Sequence, residues 1–93
     1  MHPEPQVEIR VVSFRDLDTT TLYSILKLRT DVFVVEQECP YPELDGRDDE
    51  PGTRHVWLSR GDDIAAYLRI LDDGEVQRVG RVVVAPGRWT VSY

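Results

Sequence analysis

The chain has 93 residues, a formal net charge of −6 and 41% hydrophobic residues. This length and composition predict one small globular domain that comprises residues 1–93. No apolar run approaches the ~20 residues of a transmembrane helix, and the start lacks the basic and apolar regions of a secretory signal. We therefore expect residues 1–6 to form a loose tail. Cys39 is the only cysteine, which excludes an internal disulfide and suits the reducing cytoplasm.

Most of the first predicted strand, Val7–Phe14, alternates between apolar and other residues and is typical of a half-buried strand. The next stretch, Thr19–Gln37, predicts one long helix because its apolar residues recur at steps of three and four. Asp18 lies at the N-cap position, where its carboxylate can accept from the free amides of the first turn. The β-branched residues at 32–35 weaken the helical pattern near its end. The stripe predicted to face the core consists of Leu22, Ile25, Leu26, the stem of Arg29, Val32 and Phe33.

A long connection, Glu38–Thr53, follows the helix and contains three prolines and two glycines. Connections of this length in a small domain are usually functional or mobile. Residues Glu36–Glu50 hold seven acids and one base, whereas the rest of the chain is balanced. Such an acidic loop attracts cations, amines included, and repels polyanions, so nucleic acid and anionic membranes are not expected as partners. A solvated surface loop without a ligand is the alternative interpretation.

Three more strands are predicted after the loop, and turn signals at Gly61-Asp62 and Asp73-Gly74 join them into a meander. They are Arg54–Arg60, Ile64–Leu71 and Gln77–Ala85, with Arg88–Tyr93 as a candidate fifth strand of the sheet. The predicted fold is α+β, in which one long helix packs on a mainly antiparallel sheet of four or five strands.

Alternation assigns the side chains of these strands to the two faces of the sheet. Val56 and Leu58 lie opposite His55 and Trp57. Gly80 indicates either a bulge in the fourth strand or a close approach of another backbone. The apolar sets that should face a core are Val7, Ile9 and Val11 in the first strand and Ile64, Ala66, Leu68 and Ile70 in the third.

Few residues carry an evident chemistry. One cysteine and one nearby histidine are too few for a zinc site, and the loop lacks the spacing of a calcium site, so no metal is expected. Cys39 stands beside Glu38, whose negative charge disfavours a thiolate nucleophile. His55 either bonds a carbonyl or carboxylate and holds the loop, or takes part in proton transfer. The chain has no glycine-rich phosphate loop of the GxGxxG or GxxxxGK[ST] type.

Three motifs occur in order along the chain: FVVEQ-x-CPYPELDG after the helix, RH-x-WL in the second strand and GRVVV in the fourth. Together with the run from Leu22 to Pro86, they resemble the ElaA-like branch of the GCN5-related N-acetyltransferase (GNAT) superfamily. The resemblance implies a three-layer GNAT fold, and it implies transfer of an acetyl group from acetyl-CoA to the primary amine of a small molecule or peptide.

The resemblance also implies which residues form the site. In the family, pantetheine adds alongside the fourth strand, and its backbone amides hold the thioester carbonyl. A carboxylate acting through water is the usual base for the amine. The predicted cofactor-binding residues are Val82, Val83, Val84 and Arg88, the predicted catalytic residues are Glu36, Glu38 and His55, and the predicted amine-binding residues are Glu43 and Asp45.

The last residues of the chain differ from the family pattern. In the family, a loop of the type R/Q-x-x-G-x-G/A at a helix N-terminus binds the pyrophosphate, but among residues 88–93 only Arg88 fits. The resemblance therefore covers the N-terminal half of the fold, with 87–93 as an atypical segment. Two functions stay open: an acetyltransferase that is inactive as the isolated chain, and a non-catalytic module. We expect a homodimer through the exposed fourth strand or the C-terminal segment.

Overall fold

Four antiparallel strands form one sheet in the order β1-β2-β3-β4, and a single helix crosses one of its faces. The computed structural model describes residues 6–38, 40 and 42–85. The strands are β1 (Val7–Ser13), β2 (Arg54–Arg60), β3 (Asp63–Asp73) and β4 (Val76–Val84), and the helix α1 is Thr19–Arg29. The predicted α+β fold is confirmed, with β3 between β2 and β4. The candidate fifth strand lies outside the described residues.

The helix begins as predicted but changes its geometry halfway. The Asp18 carboxylate accepts a hydrogen bond from the backbone N–H of Thr21 at 2.6 Å, which caps the first turn. The α-helix ends at Arg29, and Thr30–Glu36 continues as a π-helix in which Gln37 N–H donates to the carbonyl of Val32 at 2.9 Å. The predicted long helix is therefore confirmed to Glu36, but its last 7 residues are π-helical. The β-branched residues of this segment have a lower α-helical propensity, in agreement with the weakened pattern in the sequence.

The core is small and lies between the helix and the sheet. Its buried members are Ile25 and Val32 from the helical segment, Tyr67 from β3 and Val83 from β4. Five partly buried apolar side chains pack around them: Leu17, Leu28, Phe33, Trp57 and Ile64. The Arg29 side chain is 0% exposed, so it enters this layer completely, whereas the sequence predicted burial of its stem alone.

The helix covers the more polar face of the sheet, and no described residue outside the sheet covers the apolar face, which we call the bare face. His55, Tyr67 and Arg69 point towards the helix and are buried. By contrast, Val7, Ile9 and Val11 are 54%, 71% and 53% exposed, so the expectation that this set faces a core is wrong for the described residues. On the covered face, Arg69 donates to Asp45 and His55 lies 2.9 Å from the carbonyl oxygen of Asp48, so both side chains meet polar groups of the loop.

The shared face predicted for β3 is also corrected. The register shifts between Leu58 and Ser59, which places a bulge at Ala65. Ile64 therefore packs against the core, whereas Ala66 and Leu68 lie on the opposite face of the sheet.

The Gly61-Asp62 turn is present as predicted, and the second turn lies one residue later than predicted, at Gly74-Glu75. The Gly61-Asp62 turn joins β2 to β3, with Gly61 at a φ of +59° that a side chain would disfavour. Gly74, at a φ of +82°, is the first residue of the turn between β3 and β4. Among the described residues, no helix is long and apolar enough to cross a membrane.

Candidate acyl-CoA edge and the ring that supports it

A bulge interrupts β4 one residue after the glycine that predicted it. Arg69 pairs with Gly80 and Tyr67 with Val83, so Arg81 and Val82 together oppose Leu68. The residue in the left-handed backbone region is Arg81, at a φ of +53°. Because a bulge adds one residue to one strand, it reverses which residues of β4 face the helix beyond that point.

Beyond the bulge, no described strand pairs with the outer side of β4, and we call this side its free edge. The N–H of Ala85 donates to the carbonyl of Ala65 at 2.8 Å, so Ala85 faces β3. Backbone groups alternate in an antiparallel ladder, and Val84 therefore directs its N–H and C=O away from β3. The side chains of Val82 and Val84 lie on the bare face, 60% and 59% exposed, whereas Val83 is buried under the helix. Two of the three predicted valines thus lie on the bare face, and the third is buried.

Three arginines and three carboxylates alternate in a closed ring beside the bulge. Asp48 accepts from Arg29 at 2.7 Å and from Arg69 at 3.1 Å. Asp45 accepts from Arg69 at 2.8 Å and approaches Arg81 at 3.5 Å. Glu43 accepts from Arg81 at 3.2 Å and also pairs with Arg29. We call this set the arginine–carboxylate ring: Arg29, Glu43, Arg81, Asp45, Arg69 and Asp48.

The ring keeps its charges although much of it is buried. Burial raises the pKa of a carboxyl, but the hydrogen bonds from Arg29 and Arg69 outweigh it and hold the pKa of Asp48 below its usual value. The hydrogen bond from Arg69 likewise lowers the pKa of Asp45. Burial lowers the pKa of Arg29, yet its bonds to Asp48 and Glu43 raise it overall. Arg29 also lies over the ring of Tyr67, with Cζ 5.7 Å from the centroid.

The ring changes the interpretation of the acidic loop. Three of its seven acids are paired with arginines from the helix, β3 and β4. A fourth, Glu50, pairs with Arg47, which also bonds Asp73. The loop therefore attracts cations less than its composition predicted. Glu43 and Asp45, the predicted amine-binding residues, are engaged in fastening the loop to the sheet.

His55 lies beneath the loop and is 0% exposed. Its Nε2 is 2.9 Å from the carbonyl oxygen of Asp48, and its Nδ1 is 2.7 Å from the hydroxyl of Tyr67. Burial lowers the pKa of His55, and it raises the pKa of Tyr67 to about 12. Both groups are therefore neutral near pH 7. This geometry matches the first of the two predicted roles, in which His55 bonds a carbonyl and holds the loop.

The remaining predicted site residues are not brought together with these. Glu36 ends the π-helical segment and Glu38 follows it, and both are exposed. Arg88 lies outside the described residues. Four residues of this region were not predicted as site residues: Asp48, Tyr67, Arg69 and Arg81. The sequence signal was Arg29 on the apolar stripe, since a buried cation needs acids as partners.

Known proteins are similar to this chain in sequence. A UPF0039 protein of Mycobacterium tuberculosis is 52% identical over 79 residues, covering 80% of this chain and 51% of the relative. The protein ElaA of Escherichia coli is 42% identical over 82 residues, covering 85% and 54%. A UPF0039 protein of Schizosaccharomyces pombe is 45% identical over 75 residues, covering 78% and 49%. No family model matches the chain.

Solved structures are similar in fold. An acyl-CoA N-acyltransferase from Pseudomonas aeruginosa superposes with a TM-score of 0.82 and 40% identity, over 89% of this chain and 58% of that one. Escherichia coli ElaA superposes with a TM-score of 0.81 and 36% identity, over 91% and 60%. The chain thus spans about half the length of the curated relatives it matches. Over the part of the fold that it spans, the chain is similar in sequence and structure to the ElaA-like branch of the GNAT superfamily.

Proposed function

We propose that this chain contributes the acyl-CoA side of an N-acyltransferase that moves an acetyl group from acetyl-CoA to a primary amine. The observation that supports the proposal is the free edge of β4 beyond the bulge, where Val84 directs its N–H outwards. One of the two solved structures described above is named as an acyl-CoA N-acyltransferase. Acetyl-CoA and the amine are proposed as substrates of the complete fold, and the described residues form one part of that fold.

The free edge suits a thioester because it presents a fixed donor. Pantetheine, which carries amide groups, would lie along β4 as an added strand does. The thioester oxygen would accept from the N–H of Val84, and a donor already in place stabilises the negative charge of the tetrahedral intermediate. The neutral amine attacks the carbonyl carbon, the C–N bond forms and the C–S bond breaks. The amine proton goes to a base, and the thiolate of CoA leaves and takes up a proton.

We propose that the base for the amine is one of two carboxylates that are exposed to solvent. Glu36 and Glu38 are exposed and have no partner among the bonds of the arginine–carboxylate ring, so they are free to act through water. Glu43 and Asp45 act through the ring and place the loop that carries the acids. His55 lacks access to solvent, so its contribution is to hold Asp48 and the loop.

Isothermal titration with acetyl-CoA tests the proposed site through a pair of proline variants. Val84→Pro removes the outward N–H beyond the bulge. Val79→Pro is the control, because Val79 is equally exposed and, by counting from the hairpin turn, also directs its N–H to the free edge. We expect binding by the chain and by Val79→Pro and loss of binding in Val84→Pro, with circular dichroism unchanged. Absence of binding in the parent chain, or equal binding in both variants, would overturn the proposal.

A second candidate function is self-association, and the bare face of the sheet favours it. Ile9 pairs with Leu58, Leu58 with Ala66 and Ala66 with Val84, which forms an apolar row across all four strands. From strand spacing and rise, the face measures about 19 Å by 23 Å. Contiguous apolar patches of about 300–600 Å² on monomers often mark interaction sites. Such a face fits a second copy of itself, packed sheet on sheet.

Sedimentation equilibrium at micromolar concentration, with and without acetyl-CoA, separates the two modes of dimerisation. A dimer packed through the bare face leaves the β4 edge free and should be unaffected by acetyl-CoA. The predicted pairing through β4 occupies that edge, so acetyl-CoA should dissociate the dimer. A monomer under both conditions would exclude this second function.

A further inference from the structure

The backbone of Arg81 is held in a conformation that a long side chain rarely adopts. Its φ of +53° lies in the left-handed region, where residues other than glycine are strained unless their surroundings hold them. Gly80, the adjacent residue, would adopt this conformation freely, yet its φ is not positive. We therefore ask which contacts of the Arg81 side chain hold the strained backbone at this residue.

Among the described residues, the hydrogen bonds of the Arg81 side chain all go to the acidic loop. Arg81 Nε donates to Glu43 Oε2 at 3.2 Å, and Nη2 donates to the backbone carbonyls of Pro42 at 3.2 Å and Glu43 at 3.1 Å. Nη2 also lies 3.5 Å from Asp45 Oδ2. The guanidinium is thus tied to the loop by side-chain and main-chain acceptors, and its planar fork suits such convergent acceptors.

The loop, in turn, is fastened to the helix and to the central strand. Arg29 donates to the carbonyl of Glu43 at 3.0 Å, and Arg69 holds Asp45 with two bonds. Arg29 and Arg69 are 0% and 2% exposed, so this support lies in the buried layer between the helix and the sheet. The acceptors that reach Arg81 are therefore fixed by α1 and β3.

The bulge decides which amide faces the edge. With it, Val83 pairs with Tyr67 beneath the helix and Val84 directs its N–H outwards. Without the extra residue, the register beyond Gly80 would slip by one, and Val83 and Val84 would exchange these orientations. We propose that Arg81 is a positioning residue, whose bonds to the acidic loop hold the bulge and so select the amide of Val84 for the thioester. This inference rests on the proposed acyl-CoA site.

The test compares two substitutions that remove the same side chain. Arg81→Ala removes the bonds to the loop and also disfavours the left-handed backbone. Arg81→Gly removes the bonds but allows that backbone without strain. Asp49→Asn is the control for a charge change, because Asp49 is an exposed neighbour outside the ring. Nuclear Overhauser effects between Tyr67 and Val83 report the register, and those between Ile25 and Tyr67 report the core.

We expect Arg81→Ala to lose the Tyr67–Val83 signals, to keep the Ile25–Tyr67 signals and to bind acetyl-CoA about tenfold more weakly or worse. Arg81→Gly should keep more of the register signals, and Asp49→Asn should match the parent chain. Parent-like register signals in Arg81→Ala would overturn the positioning role. If Arg81→Ala fails to fold, Glu43→Gln, which weakens the same contacts from the loop side, gives the decisive comparison.

The two readouts separate this inference from the proposed function. A lost register in Arg81→Ala, with no acetyl-CoA binding in any protein, would support the ring as the holder of the bulge and reject the acyl-CoA site. A kept register, with acetyl-CoA binding that Val84→Pro abolishes, would reject the positioning role and retain the site.

Discussion

Tyr67 donates a hydrogen bond to His55, with 2.7 Å between the phenol oxygen and Nδ1. The direction follows from the other ring nitrogen, since Nε2 lies 2.9 Å from the carbonyl oxygen of Asp48, which can only accept. A neutral His55 therefore carries its proton on Nε2 and accepts at Nδ1. This chain of bonds joins β3, β2 and the acidic loop directly beneath the arginine–carboxylate ring.

The first prediction concerns this bond. Tyr67→Phe removes the donor and leaves Nδ1 of a buried histidine without its partner. We expect the free energy of unfolding to fall by about 1–3 kcal/mol, measured by urea denaturation. Tyr23→Phe is the matched control, because Tyr23 is 71% exposed, and its stability should equal that of the parent. Equal stability of the two variants would show that the bond contributes nothing measurable.

The second prediction concerns pH. Burial lowers the pKa of His55, Asp48 raises it by its carbonyl bond and charge, and Arg29 and Arg69 lower it. The unfolded chain therefore binds a proton more readily than the folded one. The contribution of neutral His55 to the free energy of unfolding is complete above its pKa in the unfolded chain, about 6.5. This contribution is lost as the pH falls towards the lower pKa of His55 in the folded chain. We expect the midpoint of urea denaturation to decrease between pH 7.5 and 5.

A variant identifies the group responsible for that slope. His55→Gln can still donate to Asp48 but does not titrate, so its stability should change less over the same pH range. Parallel pH profiles for the parent chain and His55→Gln would mean that other groups cause the dependence.

The third prediction concerns the ring. Asp48→Asn removes one negative charge from between Arg29 and Arg69, which then remain buried with too few acids. Breaking a buried ion pair in this way costs about 3–5 kcal/mol, so we expect a large fall in the free energy of unfolding. Asp49→Asn changes the adjacent, exposed residue and should leave stability unchanged. Similar urea midpoints for both variants would contradict a stabilising ring.

The fourth prediction concerns the bare face. Ile9→Lys places a charge in the apolar row, whereas Val35→Lys places it on the π-helical segment away from the sheet. The two positions are 71% and 69% exposed, so the variants differ in location and hardly in burial. We expect Ile9→Lys to shift sedimentation equilibrium towards monomer and Val35→Lys to behave as the parent. An equal effect of both substitutions would indicate nonspecific charge repulsion.

Local signals were sufficient for much of this fold. The Asp18 cap, the three strands after the loop and the glycine turns were predicted because each depends on residues adjacent in the chain. The motifs that resembled the ElaA-like branch were equally local, and the relatives confirm that resemblance. The change to a π-helix at Thr30 was signalled only by weakened helical propensity.

The tertiary structure alone decided which face of the sheet is covered and how the site is held. Apolar alternation favoured burying Ile9, Val11 and Leu68, yet the helix lies on the other face. Arg29 meets Asp48 there across 19 positions of sequence, and Arg81 meets Glu43 across 38. Charged groups leave water only where complementary partners converge, and that convergence depends on how the strands and loop pack, which no local pattern records.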